Sequence, residues 1–225
     1  MNLIRKFLIL IGILSGIMFI SGFTDSTTAF KVVTKLVPTF CLALYLLFSK
    51  VSKRNLFVFI GILFSMAGDF FMIFDKNQLL LAIGILTNLL GIVCYLIYFL
   101  GFSKELKLQY IWPVFAVITI MYVLLFENLG PLKIPVFFYC SFFILLVWRA
   151  NIAKDVIKNT EGLYLFWSAL SLIISDCLLS VMLFNIIDFS IVFYGIEMVL
   201  WWGGLIGLTV FSVKEKESTS EGKSR

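Results

Sequence analysis

Residues 56–74 read LFVFIGILFSMAGDFFMIF, a run of nineteen residues in which Asp69 is the only charged member. A helix of about 20 apolar residues is long enough to cross the roughly 30 Å hydrocarbon core of a bilayer. The whole chain is 61% hydrophobic and 14% charged, and its charges lie in short islands between runs of this kind. The sequence therefore predicts an integral membrane protein.

Similar apolar runs recur along the chain and predict an all-α fold, a polytopic membrane protein built as a bundle of eight transmembrane helices. The predicted spans are residues 7–24, 32–48, 56–74, 79–101, 110–126, 133–147, 163–186 and 190–213. The first span begins with basic residues and could instead be a cleaved signal peptide, but its apolar run is long and no A-x-A-like site follows it.

The predicted domain organisation is one eight-helix transmembrane domain, residues 1–213, followed by the segment KEKESTSEGKSR, residues 214–225. This segment lacks apolar side chains, so we expect a disordered cytoplasmic tail. Nothing in the chain predicts a soluble domain or a soluble partner.

The basic residues predict the orientation of the bundle. Fourteen Lys and Arg residues fall at the termini and in the loops of one side, and three fall on the other side. Because loops rich in Lys and Arg stay in the cytoplasm, both termini are expected there, in a bacterial inner membrane. The net charge of +5 is spread over separate loops, so no nucleic acid partner is expected.

Four ionisable residues interrupt the predicted spans: Asp69, Asp176, Glu197 and Lys35. Each such group costs about 2.5–3.5 kcal/mol at the centre of a transmembrane helix, which points to a functional role. Lys35 could instead extend to the headgroups, and Glu197 could be a neutral acid that joins helices. All four lie in the outer half or at the midplane, so we expect Asp69 and Asp176 to face one polar cavity, with Lys35 and Glu197 on its wall.

Span four carries a small, polar face formed by Gly84, Asn88, Gly91 and Tyr95, which recur every three or four residues. Either another helix or a ligand could lie against this face. In span eight, Trp201 and Trp202 are too deep for an interfacial belt, so they line a cavity or pack between helices.

The chain contains no histidine, and its four cysteines lie inside spans without C-x-x-C spacing. No metal site and no cofactor are therefore expected, and any chemistry must use carboxylates, lysine, hydroxyls or tyrosine. On the residues alone, a proton-coupled small-solute transporter is favoured over a hydrolase. A noncatalytic lipid-binding membrane protein is the third possibility.

Four short motifs resemble the YhhN family of eight-span lysoplasmalogenases: Lys35-Leu-Val-Pro38, Gly68-Asp69, Ser175-Asp176 and Tyr194-Gly-Ile-Glu197. They occur in the family order over nearly the whole chain. The chain departs from the family pattern in two places. It has no histidine in span four, where Ile92 or Tyr95 stands, and it has glutamate rather than glutamine at position 197.

The resemblance implies a lysoplasmalogenase-like hydrolase that cleaves the vinyl ether of a lysophospholipid within the bilayer, without a cofactor. It implies that Asp69 and Asp176 form the catalytic pair, with acid and base interchangeable at this stage. Lys35 would hold the lipid phosphate, and Glu197 would orient water or set the charge of the pair. Asn88, Tyr95 and Tyr194 are the further candidates for substrate binding. The resemblance leaves the oligomeric state open.

Overall fold

A computed structural model describes residues 2–22, 27–49, 53–74, 76–157 and 160–222. These residues form eight α-helices and two short 3-10 turns, Leu108–Tyr110 and Gly130–Leu132, and contain no strand. The α-helices are α1 (Asn2–Gly22), α2 (Thr28–Phe48), α3 (Asn55–Met72), α4 (Gln78–Leu100), α5 (Ile111–Leu125), α6 (Lys133–Ile157), α7 (Thr160–Leu183) and α8 (Ile191–Gly222).

Each of the eight helices is long and apolar enough to cross a membrane. A helix suits that setting because it pairs its backbone N–H and C=O groups internally, where lipid offers no hydrogen bonds. Large apolar side chains on the outer surface, such as Leu10, Ile120 and Val199, are about half exposed or more, as expected for residues that face lipid. The predicted all-α membrane fold is confirmed.

Two helices extend beyond their predicted spans. α6 continues to Ile157, ten residues past the predicted end of span six, so Arg149 lies in a helix and is buried rather than in a loop. α8 continues to Gly222, through most of the segment that was expected to be disordered. Glu and Lys are good helix formers, and adding residues to an existing helix requires no new nucleation.

Seven of the helices enclose the core, each packed against its neighbours in the order α1, α2, α3, α4, α6, α7 and α8. α8 closes this ring because it contacts α1, α2 and α3 as well as α7. α5 lies outside, packed mainly against α6, and most of its side chains are exposed. The interior is therefore bounded by α2, α3, α4, α6, α7 and α8.

Close approach of α3 and α4 depends on small residues. Gly68 lies against the Asn88 side chain, and a Cβ at Gly91 would come within 3.0 Å of Ser65 Oγ. Small residues allow helices in membranes to pack backbone against backbone. This contact fixes the position of Asp69, the residue after Gly68.

The two ends of the bundle differ in their polar side chains. We call one of them the 73–77 end, after the connection between α3 and α4. It carries the described residues of the α3–α4 connection, 73–74 and 76–77, and the α7–α8 connection, residues 184–190. Side chains at this end have polar surroundings, described below. About two to three helical turns beyond the four ionisable residues, towards the other end of the bundle, α2, α3, α7 and α8 carry buried apolar side chains. These are Leu46, Ile62, Leu165 and Leu208, which are at most 1% exposed.

Candidate functional site

The four intramembrane ionisable residues converge on the 73–77 end. Lys35 and Glu197 lie near the starts of α2 and α8, and Asp69 and Asp176 lie near the ends of α3 and α7. At about 1.5 Å of rise per residue, each lies within roughly 11 Å of the end of its helix. The side chains are close enough for Asp176 to interact electrostatically with both Asp69 and Lys35.

Asp69 has an ion-pair partner and a hydrogen-bond donor, which come from two different helices. Lys35 Nζ lies 3.8 Å from Asp69 Oδ1, and both side chains are 4% exposed. The indole N–H of Trp201 donates a hydrogen bond of 3.1 Å to Asp69 Oδ2. A buried charge is tolerated when it is paired and hydrogen-bonded, and both partners stabilise negative charge on this carboxylate.

Asp176 has a different kind of partner. The Tyr139 hydroxyl of α6 donates a hydrogen bond of 2.9 Å to Asp176 Oδ2. Its side chain lies beside two cysteines, Cys140 and Cys177, and is partly buried. A phenol hydroxyl can bond to either the neutral or the charged form of a carboxyl group, so this environment suits a group that exchanges a proton.

Glu197 is 1% exposed, and only one of its two carboxylate oxygens has a hydrogen-bond partner among the described residues. The Ser175 hydroxyl lies 3.1 Å from Glu197 Oε1 and 2.9 Å from the Glu197 backbone oxygen. Glu197 Oε2 has no hydrogen-bond partner among the described residues. Because Ser175 precedes Asp176 on α7, this contact joins Glu197 to the Asp176 segment, and the bare oxygen remains available for a water molecule or a substrate group.

Lys35 also contacts aromatic residues. Its ammonium lies 5.9 Å from the centroid of the Phe19 ring, and the Tyr194 hydroxyl is within hydrogen-bonding reach of it. Tyr194 packs against Phe19 and Phe189, with ring centroids 5.9 Å and 5.7 Å away. Tyr194 therefore lies beside Lys35, and its role in substrate binding stays a prediction.

Asn88 and Tyr95 instead lie in the α3–α4 interface. Asn88 donates to the sulfur of Met72 at 3.2 Å, and its Oδ1 has no partner among the described residues. The Tyr95 hydroxyl is 3.0 Å from Ser65 Oγ, and its ring packs on Gly61. Neither Asn88 nor Tyr95 lines the two cavities described below. Packing between α3 and α4 therefore accounts for the contacts of these two side chains. Their role in substrate binding stays a prediction.

A cavity of about 800 Å³ opens at the 73–77 end and reaches down to Lys35. Its wall includes three lysines at successive depths: Lys76 is exposed, Lys31 is partly buried and Lys35 is buried. Asn77, Asn185 and Tyr194 add neutral polar groups. This cavity, named here the polar cavity, has the size of a typical ligand pocket and a basic character.

A second, smaller cavity of about 70 Å³ lies on the other side and is almost entirely apolar. Asp176 and Tyr139 line it, together with side chains of α5 such as Ile118 and Met121. Met72, Leu179 and Leu183 line both this apolar cavity and the polar cavity, so they form a shared wall. Lys35 borders the polar cavity and Asp176 borders the apolar one, whereas Asp69 and Glu197 line neither of these two cavities. The expectation that both aspartates face one polar cavity stays a prediction.

Sequence reasoning missed two residues of the site. Tyr139 was not singled out, although it lies six residues into α6 and thus at a depth similar to that of Asp176. Trp201 was expected either to line a cavity or to pack, and its hydrogen bond to Asp69 was not foreseen. Depth along a predicted span is the one signal that could have found Tyr139.

The donor set suits acid–base chemistry better than metal binding. Within the described ranges, no group of three or more Asp, Glu or Cys side chains is arranged to hold a metal ion. Lys35 and the indole N–H of Trp201 already occupy Asp69. The arrangement supplies two carboxyl groups with different partners: Asp176 lines the apolar cavity, and Asp69 is paired with Lys35 of the polar cavity.

Comparison with protein families gives one match: the model described as the YhhN family covers residues 30–210, more than half of the chain. The matched region includes Lys35, Asp69, Asp176 and Glu197. Comparison with curated proteins and with solved structures gives no match.

Proposed function

Since the chain belongs to the YhhN family, we propose that it is a membrane-embedded hydrolase that cleaves the vinyl ether bond of lysoplasmalogen-like lysophospholipids. The products are a fatty aldehyde and a glycerophospho-headgroup. One observation carries the proposal: Asp176 lines the apolar cavity, and Asp69 is ion-paired at 3.8 Å with Lys35, which lines the polar cavity on the other side of the shared wall. An amphiphile bound across that wall has its polar–apolar junction beside the carboxyl groups, and in these lipids the junction is the vinyl ether.

Paired carboxyl groups can carry out the whole reaction. A neutral acid donates a proton to the β-carbon of the vinyl ether, and the resulting cation shares its charge with the ether oxygen. A carboxylate stabilises this cation and accepts a proton from the attacking water, as the carboxyl pair does in glycoside hydrolysis. The hemiacetal then breaks to the aldehyde and the free glycerol hydroxyl, so one water is consumed and both carboxyl groups return to their starting states.

The partners of each aspartate favour one assignment of roles. Asp69 contacts the Lys35 ammonium and the Trp201 N–H, which both stabilise a carboxylate, so Asp69 is the base and cation stabiliser. Asp176 bonds to a neutral phenol and borders the apolar cavity, where an alkenyl carbon would lie, so Asp176 is the proton donor. Glu197, with one bare oxygen beside Ser175, orients the water.

The small volume of the apolar cavity limits what it can hold. Only the carbons next to the vinyl ether fit there, and the rest of the alkenyl chain stays in the bilayer. α5 lines this cavity and makes limited contact with the rest of the bundle. The lipid chain therefore enters sideways, beside α5.

Transport of a solute or proton is the alternative function. It requires a path from the 73–77 end to the opposite end. Between the site and the opposite end, Leu46, Ile62, Leu165 and Leu208 on four helices are apolar and at most 1% exposed. This buried apolar packing favours a reaction that starts and ends at one face of the bundle.

The test is to incubate purified protein in detergent micelles with 1-alkenyl-2-lysophosphatidylethanolamine or -choline and to measure free aldehyde by mass spectrometry. We expect aldehyde from both lipids and none from the ester lysophospholipid of the same chain length. A chelator should leave turnover unchanged, because proton transfer between carboxyl groups and lipid needs no metal. Absence of aldehyde from every vinyl-ether lipid, together with an Asp69-dependent proton or solute flux in liposomes, would replace hydrolysis by transport.

A further inference from the structure

The polar cavity has two further lysines on its wall besides the one that faces Asp69. Lys35 at its base already faces Asp69 at 3.8 Å. Lys31 and Lys76 line the same cavity nearer to its mouth. Their ammonium groups lie on the wall of a cavity of about 800 Å³, where each can contact an anion that enters it.

We propose that Lys31 and Lys76 bind the phosphate of the lipid headgroup and thereby make the enzyme select phospholipids over uncharged alkenyl glycerols. This inference rests on the proposed function and names residues that determine its substrate class. Lysine is a common phosphate ligand, acting as a flexible point charge. The site differs from the one expected from the resemblance, in which Lys35 alone holds the phosphate.

The distances along α2 fit such a lipid. Lys31 and Lys35 are one helical turn apart, which corresponds to about 6 Å of rise. In a 1-alkenyl lysophospholipid, five single bonds separate the phosphorus from the ether oxygen, or roughly 6 Å in an extended chain with bonds near 1.5 Å. A phosphate held at the level of Lys31 therefore places the ether oxygen at the level of Lys35 and Asp69.

The ends of two helices also border this cavity. Thr28 is the first residue of α2 and Asn77 is the N-cap of α4, and both line the polar cavity. The partial positive charge at a helix N-terminus favours an anion nearby. These helix ends only reinforce the lysine site, since the Asn77 side chain is already bonded to the N–H groups of Leu79 and Leu80.

The experiment compares two substrates and two sets of variants. The substrates are a 1-alkenyl-2-lysophosphatidylcholine and the 1-alkenylglycerol with the same chain, presented in uncharged detergent micelles. The test variant is Lys31→Gln with Lys76→Gln. The matched control is Lys133→Gln, which removes a lysine at the same end of the bundle that stacks on Phe126, 4.0 Å from the ring centroid, and lies outside the cavity lining.

We expect the wild-type protein to favour the phospholipid at least about 10-fold in kcat/KM. The double variant should raise KM for the phospholipid about 10- to 100-fold, because two charge-assisted contacts are lost. Its kcat, and both constants for the alkenylglycerol, should stay within about 2-fold of wild type. An unchanged phospholipid preference in the double variant, or an equal KM rise for both substrates, would overturn the proposal.

A binding measurement separates this inference from the proposed function. Ester lysophosphatidylcholine lacks the vinyl ether, and we expect it to raise the melting temperature of wild-type protein more than the matching monoacylglycerol does. The double variant should lose this difference, and Lys133→Gln should keep it. The result is informative even if no lipid is cleaved. Equal stabilisation by both lipids would contradict the headgroup site, and stabilisation by inorganic phosphate alone would show a site for the free anion instead.

Discussion

Tyr139 with Asp176 and Tyr110 with Asp155 form the same hydrogen bond at opposite ends of the molecule. In each pair the phenol hydroxyl donates to Oδ2 of the aspartate, at 2.9 Å and 2.7 Å. The surroundings differ. Asp155 is 29% exposed and also pairs with Lys107 at 3.3 Å, whereas Asp176 borders a cavity and lies within electrostatic reach of Asp69 and Glu197.

The end that carries Asp155 uses its polar groups to attach a loop. Arg149, 2% exposed, donates to the backbone oxygens of Ser103 and Glu105, and the Trp148 N–H donates to the backbone oxygen of Lys107 at 2.8 Å. The hydrogen bond to Asp155 also raises the pKa of Lys107. These donors fix residues 103–107 against α6.

Neither a buried charge nor a tyrosine–aspartate bond identifies a reactive site by itself. At the Arg149 end, Arg149 and Trp148 donate to backbone oxygens, which cannot change their protonation state. At the 73–77 end, ionisable groups from four helices lie close together, Glu197 Oε2 has no partner among the described residues, and cavities adjoin Lys35 and Asp176. A cluster of titratable groups beside a cavity therefore distinguishes the candidate reactive site from the polar groups that only hold a loop in place.

The largest expected effect comes from replacing the catalytic carboxyl groups. Asp69→Asn and Asp176→Asn should each lower kcat by about 10²–10⁴, the usual contribution of a general acid or base, because an amide cannot exchange the proton. The control is Asp155→Asn at the opposite end, which should keep kcat within about 2-fold. Size-exclusion profiles and melting curves confirm that the variants are folded. Full turnover in both site variants would refute the carboxylate mechanism.

The fold was largely predictable because lipid restricts the backbone to helices and requires long apolar runs, which are visible in the sequence. The length of α6 was not predictable. Arg149 and the polar residues after it resemble a loop in the sequence, and their contact with residues 103–107 is visible only in the structure. The sequence singled out Asp69, Asp176 and Lys35 because charged side chains are rare within transmembrane spans. The bond between Trp201 and Asp69 joins residues 132 positions apart, and no sequence pattern states which helices are neighbours.

A smaller effect, on stability and not on chemistry, is expected from Arg149→Met. Removing the guanidinium takes away two charge-assisted, partly buried hydrogen bonds to the backbone oxygens of Ser103 and Glu105, at a cost of about 1–3 kcal/mol in the free energy of unfolding. Chemical unfolding measures this loss, and kcat per folded molecule should be unchanged. Lys104→Met in the same loop, where the side chain is exposed, is the control and should be neutral. A fall in kcat with normal stability would place Arg149 in the reaction.

The two tyrosines provide a direct test of the comparison. Tyr139→Phe removes one hydrogen bond to the proposed acid and should lower kcat about 3- to 10-fold, the equivalent of roughly 1 kcal/mol. Tyr110→Phe removes the equivalent bond to Asp155 and should leave kcat unchanged, with a similar small loss of stability. Equal effects of the two variants on kcat would mean that the Asp176 bond, too, is only structural.

The smallest effect is expected from Glu197→Gln. Glutamine keeps the oxygen that accepts from Ser175 and presents an N–H₂ group where Glu197 Oε2 has no described partner, so water can still be oriented and no buried charge is left alone. We expect kcat to change by less than about 3-fold, measured from aldehyde release beside Asp176→Asn as the inactive reference. Glu197→Ala, by contrast, removes both oxygens and should lower kcat further than Glu197→Gln does. If the kcat of Glu197→Gln falls to that of Asp176→Asn, Glu197 exchanges protons in the reaction. The set of catalytic residues must then include Glu197.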